Sequence, residues 1–166
     1  MFYDKSVYPK LEVLEAAYPE IRKEMLAVSQ GIRMRTWPEA HKFDGSWKVF
    51  GLYHNRRKLE NFCKLCPVTT ATIESLGKVT MAGFSKMAAQ TRILPHFDEV
   101  VEERRIHMGL KVPDVSVTQC GFSVEDVVTG WTEGKAFVFD PRKIHQAWNH
   151  TDIDRIILLL DFENFS

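Results

Sequence analysis

Hydrophobic residues in the first part of the chain recur at three- and four-residue steps. Between positions 9 and 30 they are Leu11, Leu14, Ala17, Ile21 and Met25. This spacing puts them on one face of an amphipathic helix, which Pro19 is expected to interrupt. A second, short helix is predicted from 68 to 76, because Gly77 follows it as a typical end signal.

The remainder of the chain has the residue pattern that is typical of β-strands. Segments rich in β-branched and aromatic residues predict strands at 47–53, 79–88, 91–94, 105–112, 115–118, 121–128, 135–140 and 155–162. Proline and glycine separate these segments, and no helix alternates with them, which favours antiparallel strands in a sandwich or barrel. We therefore predict a mostly β protein of one domain, with a helical part at 1–45 packed on a jelly-roll core at 46–166.

Composition and charge exclude some partners. Lys plus Arg equal Asp plus Glu at 22 each, which argues against a partner bound mainly through phosphate charge, such as duplex DNA. No apolar run approaches the roughly 20 residues of a membrane span, and the first residues lack the order of a signal peptide. Three cysteines give no disulfide framework, and the pair Cys63 and Cys66 is interpreted as structural or surface cysteines rather than a zinc site. We expect a cytoplasmic protein.

Two histidines and an aspartate could share a metal ion. His96 and Asp98 follow a predicted strand and lie on the same face of it, and His145 comes 49 residues later. Two imidazoles and one carboxylate can occupy one face of an octahedral iron(II), which leaves three positions for a chelating cosubstrate and O₂. A simpler interpretation is open as well: His96 and Asp98 are turn residues after Pro95, and Asp98 caps a helical stretch at 99–105.

A single arginine begins the most hydrophobic strand. Arg155 precedes the run at 156–160, which is apolar on both faces and is expected to be buried. A buried charge is costly unless it is paired, and the planar guanidinium suits a carboxylate. The partner is either an anionic ligand or, in a buried salt bridge, Asp140, Asp152 or Asp161.

From about Trp47 to Phe162 the sequence resembles the catalytic domain of the aspartyl/asparaginyl β-hydroxylase family. The matching segments are ILPH at 93–96, RIHMGLKVP at 105–113, WTEGKAFVFD at 131–140, HQAW at 145–148 and DRIILLLD at 154–161. Their agreement in order and spacing is more specific than any one of them. The resemblance implies a double-stranded β-helix, the cupin-like jelly roll, with iron(II) bound by His96 and His145.

The resemblance also implies roles for four further residues. Arg155 would bind the distal carboxylate of 2-oxoglutarate, with Ser85 as a candidate partner. His107 matches a histidine that contacts this cosubstrate near the metal, and Arg105 matches an arginine that grips the carboxylate of the substrate. The alternation of a strand agrees on one point, because Arg105 and His107 fall on the same side.

One position departs from the animal members of the family, which carry glycine where this chain has Asp98. With this acid, the chain is expected to have a triad of metal ligands formed by His96, Asp98 and His145. The acid also weakens any inference of substrate from the animal enzymes, which act on folded epidermal-growth-factor-like domains.

The expected function is an iron(II)- and 2-oxoglutarate-dependent dioxygenase that uses O₂ to hydroxylate an aspartyl- or asparaginyl-like side chain, peptide or amino acid. Bacterial relatives act on other substrates, so another small molecule or an acyl chain is the alternative. Two further alternatives are a cupin-like metal-binding protein without oxygenase activity, which would not need Arg155, and a non-catalytic interaction module, which would not bind iron. The sequence does not predict the oligomeric state.

Overall fold

The computed structural model describes residues 1–30, 33–100 and 104–165. Its α-helices are α1 (Leu11–Ala16), α2 (Tyr18–Val28), α3 (Glu60–Cys63) and α4 (Pro67–Leu76), with 3₁₀ turns at Lys5–Val7 and Ala40–Lys42. Its strands are β1 (Phe2–Tyr3), β2 (Arg35–Thr36), β3 (Phe43–Asp44), β4 (Trp47–His54), β5 (Arg57–Lys58), β6 (Lys78–Met87), β7 (Thr91–His96), β8 (Arg105–Lys111), β9 (Cys120–Val124), β10 (Val127–Thr129), β11 (Ala136–Phe139), β12 (His145–Asn149) and β13 (Arg155–Glu163).

The strands form two antiparallel sheets. The larger sheet has the order β1-β11-β8-β13-β6-β4-β2, with β5 paired to β4, and the smaller sheet has the order β10-β9-β12-β7-β3. Neighbours in each sheet are mostly distant in sequence, as in a jelly roll, so the chain passes repeatedly between the sheets. The predicted fold, mostly β with helices packed on a jelly roll, is confirmed.

Two hydrophobic cores separate three layers. Leu14 and Ile21 of the helices pack with Leu158 in the first core, on the outer face of the larger sheet. Phe122 and Leu159 belong to the second core, between the two sheets. Strand β13 therefore buries both faces, which explains why its sequence is apolar without alternation. Its odd-numbered residues point between the sheets, where the candidate site lies.

Most predicted elements are present, with local differences. The helix predicted at 9–30 is two helices, and Pro19 lies in the first turn of the second, where its missing N–H costs no hydrogen bond. The strand predicted at 115–118 is wrong: this segment is a turn, in which the amides of Gln119 and Cys120 donate to the carbonyl of Ser116 at 2.9 and 3.1 Å. The helical stretch considered at 99–105 includes residues 101–103, which lie outside the described residues, and Arg105 already belongs to β8.

The region at 1–45 is helical from Leu11 to Val28, and its other elements include β1, β2 and β3, which pair with the sheets. Among the described residues no helix is long and apolar enough to cross a membrane. The thiols of Cys63, Cys66 and Cys120 are free and buried. Their burial agrees with a structural role, and the interpretation that Cys63 and Cys66 are not a zinc site stays a prediction.

Candidate active site

Adjacent strands of the smaller sheet bring the predicted metal ligands together. His96 ends β7, His145 begins β12, and the two residues are partners in the register of these strands. Their ring centroids are 4.3 Å apart. Asp98 follows in the loop after β7, where its amide donates to the carbonyl of Pro141 at 3.0 Å. The potential ligand atoms of His96, Asp98 and His145 all lie within 4.8 Å of one another.

Both imidazoles are oriented for metal binding by the backbone. The Nδ1 atom of His96 donates to the carbonyl of Leu94 at 2.7 Å, and Nδ1 of His145 donates to the carbonyl of Lys143 at 2.8 Å. Because a carbonyl only accepts, each ring carries its proton on Nδ1 and keeps the lone pair on Nε2. Burial lowers the pKa of His96 and lowers that of His145 to about 4, so both rings are neutral at pH 7.

Two cations fix the carboxylate of Asp98. Lys42 Nζ donates to Oδ1 at 3.0 Å, and Arg105 Nη1 donates to Oδ2. Burial alone would raise the pKa of Asp98, but the charges of Arg105 and Lys42 hold it far below its usual value. The carboxylate is therefore ionised, as a metal ligand must be. Its distance of 3.8 Å from Nε2 of His96 leaves room for an ion between the two atoms.

Arg105 is fully occupied by acidic neighbours. Its Nε and Nη2 donate to the two carboxylate oxygens of Asp161 at 2.8 Å each, in addition to the contact with Asp98. The guanidinium and Asp161 are both buried, at 5% and 2% exposure. The predicted grip of Arg105 on a substrate carboxylate stays a prediction, and these contacts favour a role in holding Asp98.

Arg155 is buried, and no carboxylate of the described residues contacts it. Its side chain is 1% exposed, and its guanidinium lies over the ring of Trp131 at 4.4 Å from the centroid. Nη1 reaches the carbonyl of Ser85 only at 3.4 Å, and Nε has no hydrogen-bond partner. Burial lowers the pKa of Arg155 to about 10, which still leaves it charged at pH 7.

The salt bridge considered as an alternative for Arg155 is absent among the described residues. All three proposed aspartates have other partners, which are Arg142 for Asp140, Gln90 for Asp152 and Arg105 for Asp161. A buried cation without a counterion is costly. It indicates a place for an anionic ligand.

Two more predicted residues line the same cavity between the sheets. His107 is buried, its Nε2 has no partner, and burial together with the charge of Arg155 lowers its pKa well below the usual value. Ser85 accepts a hydrogen bond at 2.9 Å from Nε1 of Trp47, so its own hydroxyl proton is available to a ligand. The cavity lining includes both residues together with His96, His145 and Arg155. Its free polar groups suit a ligand with several oxygen atoms.

The sequence did not identify every residue at this site. Trp131 belongs to a quoted family segment, but nothing in its spacing indicates that it lies against Arg155. Lys42 and Asp161 are ordinary charged residues in the sequence, and only the packing brings them to Asp98 and Arg105.

Comparison with known proteins gives matches over most of the chain. Residues 15–164 match the model of a family described as aspartyl/asparaginyl beta-hydroxylase. An ornithine lipid ester-linked acyl 2-hydroxylase from Rhizobium tropici is 32% identical over 96% of this chain and 59% of its own length. An aspartyl/asparaginyl beta-hydroxylase from Mus musculus is 30% identical over 89% of this chain and 20% of its own length.

The fold has relatives among solved structures. A prolyl hydroxylase from Trichoplax adhaerens, in complex with a peptide fragment, aligns with a TM-score of 0.60 and 14% identity over 89% of this chain and 78% of that chain. At this identity the likeness concerns the fold alone. Among the sequence relatives, the chain spans about three fifths of the length of the Rhizobium tropici protein and a fifth of the length of the Mus musculus protein.

Proposed function

This chain belongs to the aspartyl/asparaginyl β-hydroxylase family, and we propose that it acts as an iron(II)- and 2-oxoglutarate-dependent dioxygenase that hydroxylates a C–H bond. The single observation that carries the proposal is the unpaired guanidinium of Arg155 in the cavity that also contains His96 and His145. A metal-binding triad alone would suit many proteins. A triad beside a buried, uncompensated cation suits a metal that works with an anionic cosubstrate.

The donor set fits iron(II). His96, Asp98 and His145 offer two neutral imidazoles and one carboxylate, the facial arrangement typical of non-haem iron oxygenases. When bound, iron(II) would supply O₂ activation, with 2-oxoglutarate converted to succinate and CO₂ and one oxygen atom inserted into a substrate C–H bond. The protein itself holds the ligands: two backbone carbonyls orient the imidazoles, and Lys42 and Arg105 hold the carboxylate.

Arg155 and Ser85 would bind the far carboxylate of 2-oxoglutarate, the arginine by charge and the serine by its free proton. His107 lies beside them with an unpartnered Nε2 that can meet an oxygen of the same ligand. The cavity volume is about 30 Å³ in this arrangement, so side chains at its edge must move when the diacid enters. Trp37 is placed to do so, since it is half-buried at the edge and stacks on Trp47 with centroids 4.1 Å apart.

Two substrate classes remain from the sequence and from the relatives. The first is an aspartyl- or asparaginyl-like side chain or amino acid, and the second is an acyl chain, as the name of the Rhizobium tropici relative states for that protein. The contacts of Arg105 favour the second, because the arginine expected to bind an aspartyl carboxylate already holds Asp98 and Asp161. We therefore propose an acyl chain as the substrate class. The cytoplasmic location and the single catalytic domain stay predictions.

The test measures metal binding and 2-oxoglutarate turnover separately. Cobalt(II) titration followed by absorption should show one site in the wild type and none in His96→Ala. Iron-loaded protein should release succinate slowly from 2-oxoglutarate without substrate, and Arg155→Ala should lose this release through weaker cosubstrate binding. Arg57→Ala removes an exposed arginine that is not part of the cavity lining and serves as the control.

The outcomes separate the alternatives. Normal succinate release by Arg155→Ala would contradict the role of that residue. Cobalt binding without any 2-oxoglutarate turnover would favour a cupin-like metal protein. Failure of the wild type to bind cobalt would favour a non-catalytic module.

A further inference from the structure

A groove of about 610 Å³ lies beside the metal cavity, on the inner face of the larger sheet. Its lining shares Trp37, Ser85 and Leu159 with the lining of the metal cavity, so the two spaces adjoin. Neither the metal ligands nor Arg155 line this groove. It is a separate space that shares part of its wall with the site.

The floor of the groove lacks a side chain at two positions, where two glycines face each other across neighbouring strands. Gly51 of β4 and Gly83 of β6 are partners in the register, and both line the groove. The smaller sheet ends at β3, whose Phe43 contacts Trp47 at the start of β4, with ring centroids 6.0 Å apart. Further along β4, Val49, Gly51 and Tyr53 line the groove. From Val49 to Tyr53 this part of β4 is about 13 Å long.

The walls of the groove are apolar. Hydrophobic side chains surround the glycine floor, and they are Val49, Leu59, Phe62, Met81 and Leu159. A space of this kind fits a hydrocarbon chain better than a polar side chain, because it offers few partners for buried polar groups.

The rim of the groove carries positive charge. Arg33 and Arg35 line it, both are exposed, and neither has an acidic partner among the residues that the structure describes. The acid of the lining, Glu39, is engaged by Lys42 Nζ at 3.0 Å and by Nε1 of Trp37 at 3.2 Å. The unbalanced charge at the rim is therefore that of the two arginines.

We infer that the groove binds the acyl chain of an amphiphile with an anionic headgroup. The chain lies over Gly51 and Gly83 and reaches the metal cavity at Ser85 and Leu159, while the carboxylate or phosphate of the headgroup pairs with Arg33 and Arg35. This inference rests on the proposed function, because it names the class of substrate that the proposed hydroxylase would act on. Charge complementarity at the rim is what favours this occupant over a neutral chain, a peptide or a second copy of the protein.

The first measurement uses wild-type protein without metal or 2-oxoglutarate. Octanoate, decanoate and laurate are titrated by calorimetry, below the concentrations at which they form micelles. Each added methylene should tighten binding about three- to fourfold, since it is transferred from water to an apolar wall. Equal affinities along the series would overturn the inference, and this result needs no variant.

The second measurement closes the groove. A Cβ at Gly51 would lie 3.2 Å from Cδ1 of Leu59, a flexible side-chain end, whereas at Gly83 it would lie 2.8 Å from the backbone oxygen of Phe50. Gly51→Leu is therefore the better blocking variant. It should weaken laurate binding at least tenfold, with the circular dichroism spectrum of the wild type. Unchanged laurate affinity in folded Gly51→Leu would overturn the inference.

The third measurement tests the headgroup. Arg33→Glu/Arg35→Glu should weaken laurate binding about tenfold and leave neutral monolauroylglycerol binding unchanged. Lys10→Glu/Lys64→Glu makes the same change of charge at exposed positions outside the groove lining and should alter neither. Equal losses in both double variants, or a wild-type dimer in sedimentation analysis that Gly51→Leu dissociates, would overturn the choice of occupant.

Failure of this inference is distinct from failure of the proposed function. Laurate binding is measured without iron, so it can succeed even if 2-oxoglutarate is never turned over. Conversely, succinate release without substrate, together with no laurate binding, would leave the oxygenase proposal standing and remove only the groove's occupant.

Discussion

Replacing Arg155 by methionine should stabilise the protein while abolishing its use of 2-oxoglutarate. Burial lowers the pKa of this arginine to about 10 from the ordinary 12.5, and each factor of ten in that equilibrium is about 1.4 kcal/mol. The charged form thus costs the folded protein about 3 kcal/mol. The contact with the ring of Trp131 offsets about 1–2 kcal/mol of this cost and is lost in the variant. Methionine retains much of the aliphatic stem, so the net gain should be about 1–2 kcal/mol.

The assay is thermal and urea unfolding, followed by tryptophan fluorescence with and without 2-oxoglutarate. A gain of this size corresponds to about 3–6 °C in Tm for a domain of this length. Saturating 2-oxoglutarate, at about 100 times its Kd, should add about 2.7 kcal/mol to the wild type and nothing to Arg155→Met.

Arg105→Met is the matched comparison, since it makes the same substitution at the other buried arginine of the site. Its removal leaves the carboxylate of Asp161 buried and unpaired, which should destabilise the protein by about 3–5 kcal/mol. If Arg155→Met destabilised the protein as much as Arg105→Met does, the reasoning would be refuted, because Arg155 would then have a partner within the protein.

Three further predictions concern the metal site and the thiols. His145→Ala should weaken cobalt(II) binding at least 100-fold, whereas His150→Ala, at an exposed position, should not change it; equal affinities would exclude His145 as a ligand. Lys42→Met should weaken cobalt binding about tenfold, because the carboxylate of Asp98 loses a hydrogen bond that orients it, and an unchanged Kd would make Lys42 irrelevant to the metal. Burial raises the pKa of the Cys66 thiol to about 12, so iodoacetamide should alkylate it slowly at pH 8 in native protein and rapidly in urea; rapid native reaction would contradict this burial.

The fold could be predicted from the sequence where a hydrophobic pattern has only one structural explanation. The run after Arg155 had to be buried on both faces, and β13 is central in the larger sheet. Strand β12 was missed because its inward positions include His145 and Asn149, which interrupt the hydrophobic alternation that identifies a strand. The segment at 115–118 is predicted as a strand from its valines, but Val115 and Val117 are 40% and 41% exposed and are not part of a buried core.

The candidate site was predictable only in part, for a similar reason. Spacing on one strand relates His96 to Asp98, and family resemblance relates both to His145. No local pattern relates Lys42 to Asp98, since their contact depends on how the loop before β3 folds over the end of β7. The groove was not foreseen either, because a glycine in a strand does not indicate which residue lies opposite it, and the pairing of Gly51 with Gly83 is a property of the register.

The two buried arginines illustrate what burial and charge can decide beyond sequence. Arg105 and Arg155 lie in adjacent strands, β8 and β13, with side chains that are 5% and 1% exposed between the same sheets. Both positions match the family, so the resemblance alone implies that each arginine binds a carboxylate of a ligand. The contacts separate them: the first has two carboxylates within the protein, and the second has an aromatic face and a distant carbonyl. A cation that the fold neutralises can hold a neighbour in place, whereas a cation that the fold leaves uncompensated is stabilised only when an anion arrives. The unfavourable burial of the Arg155 charge is relieved when an anionic ligand binds. Replacing Arg155 should therefore abolish binding of that ligand without destabilising the protein.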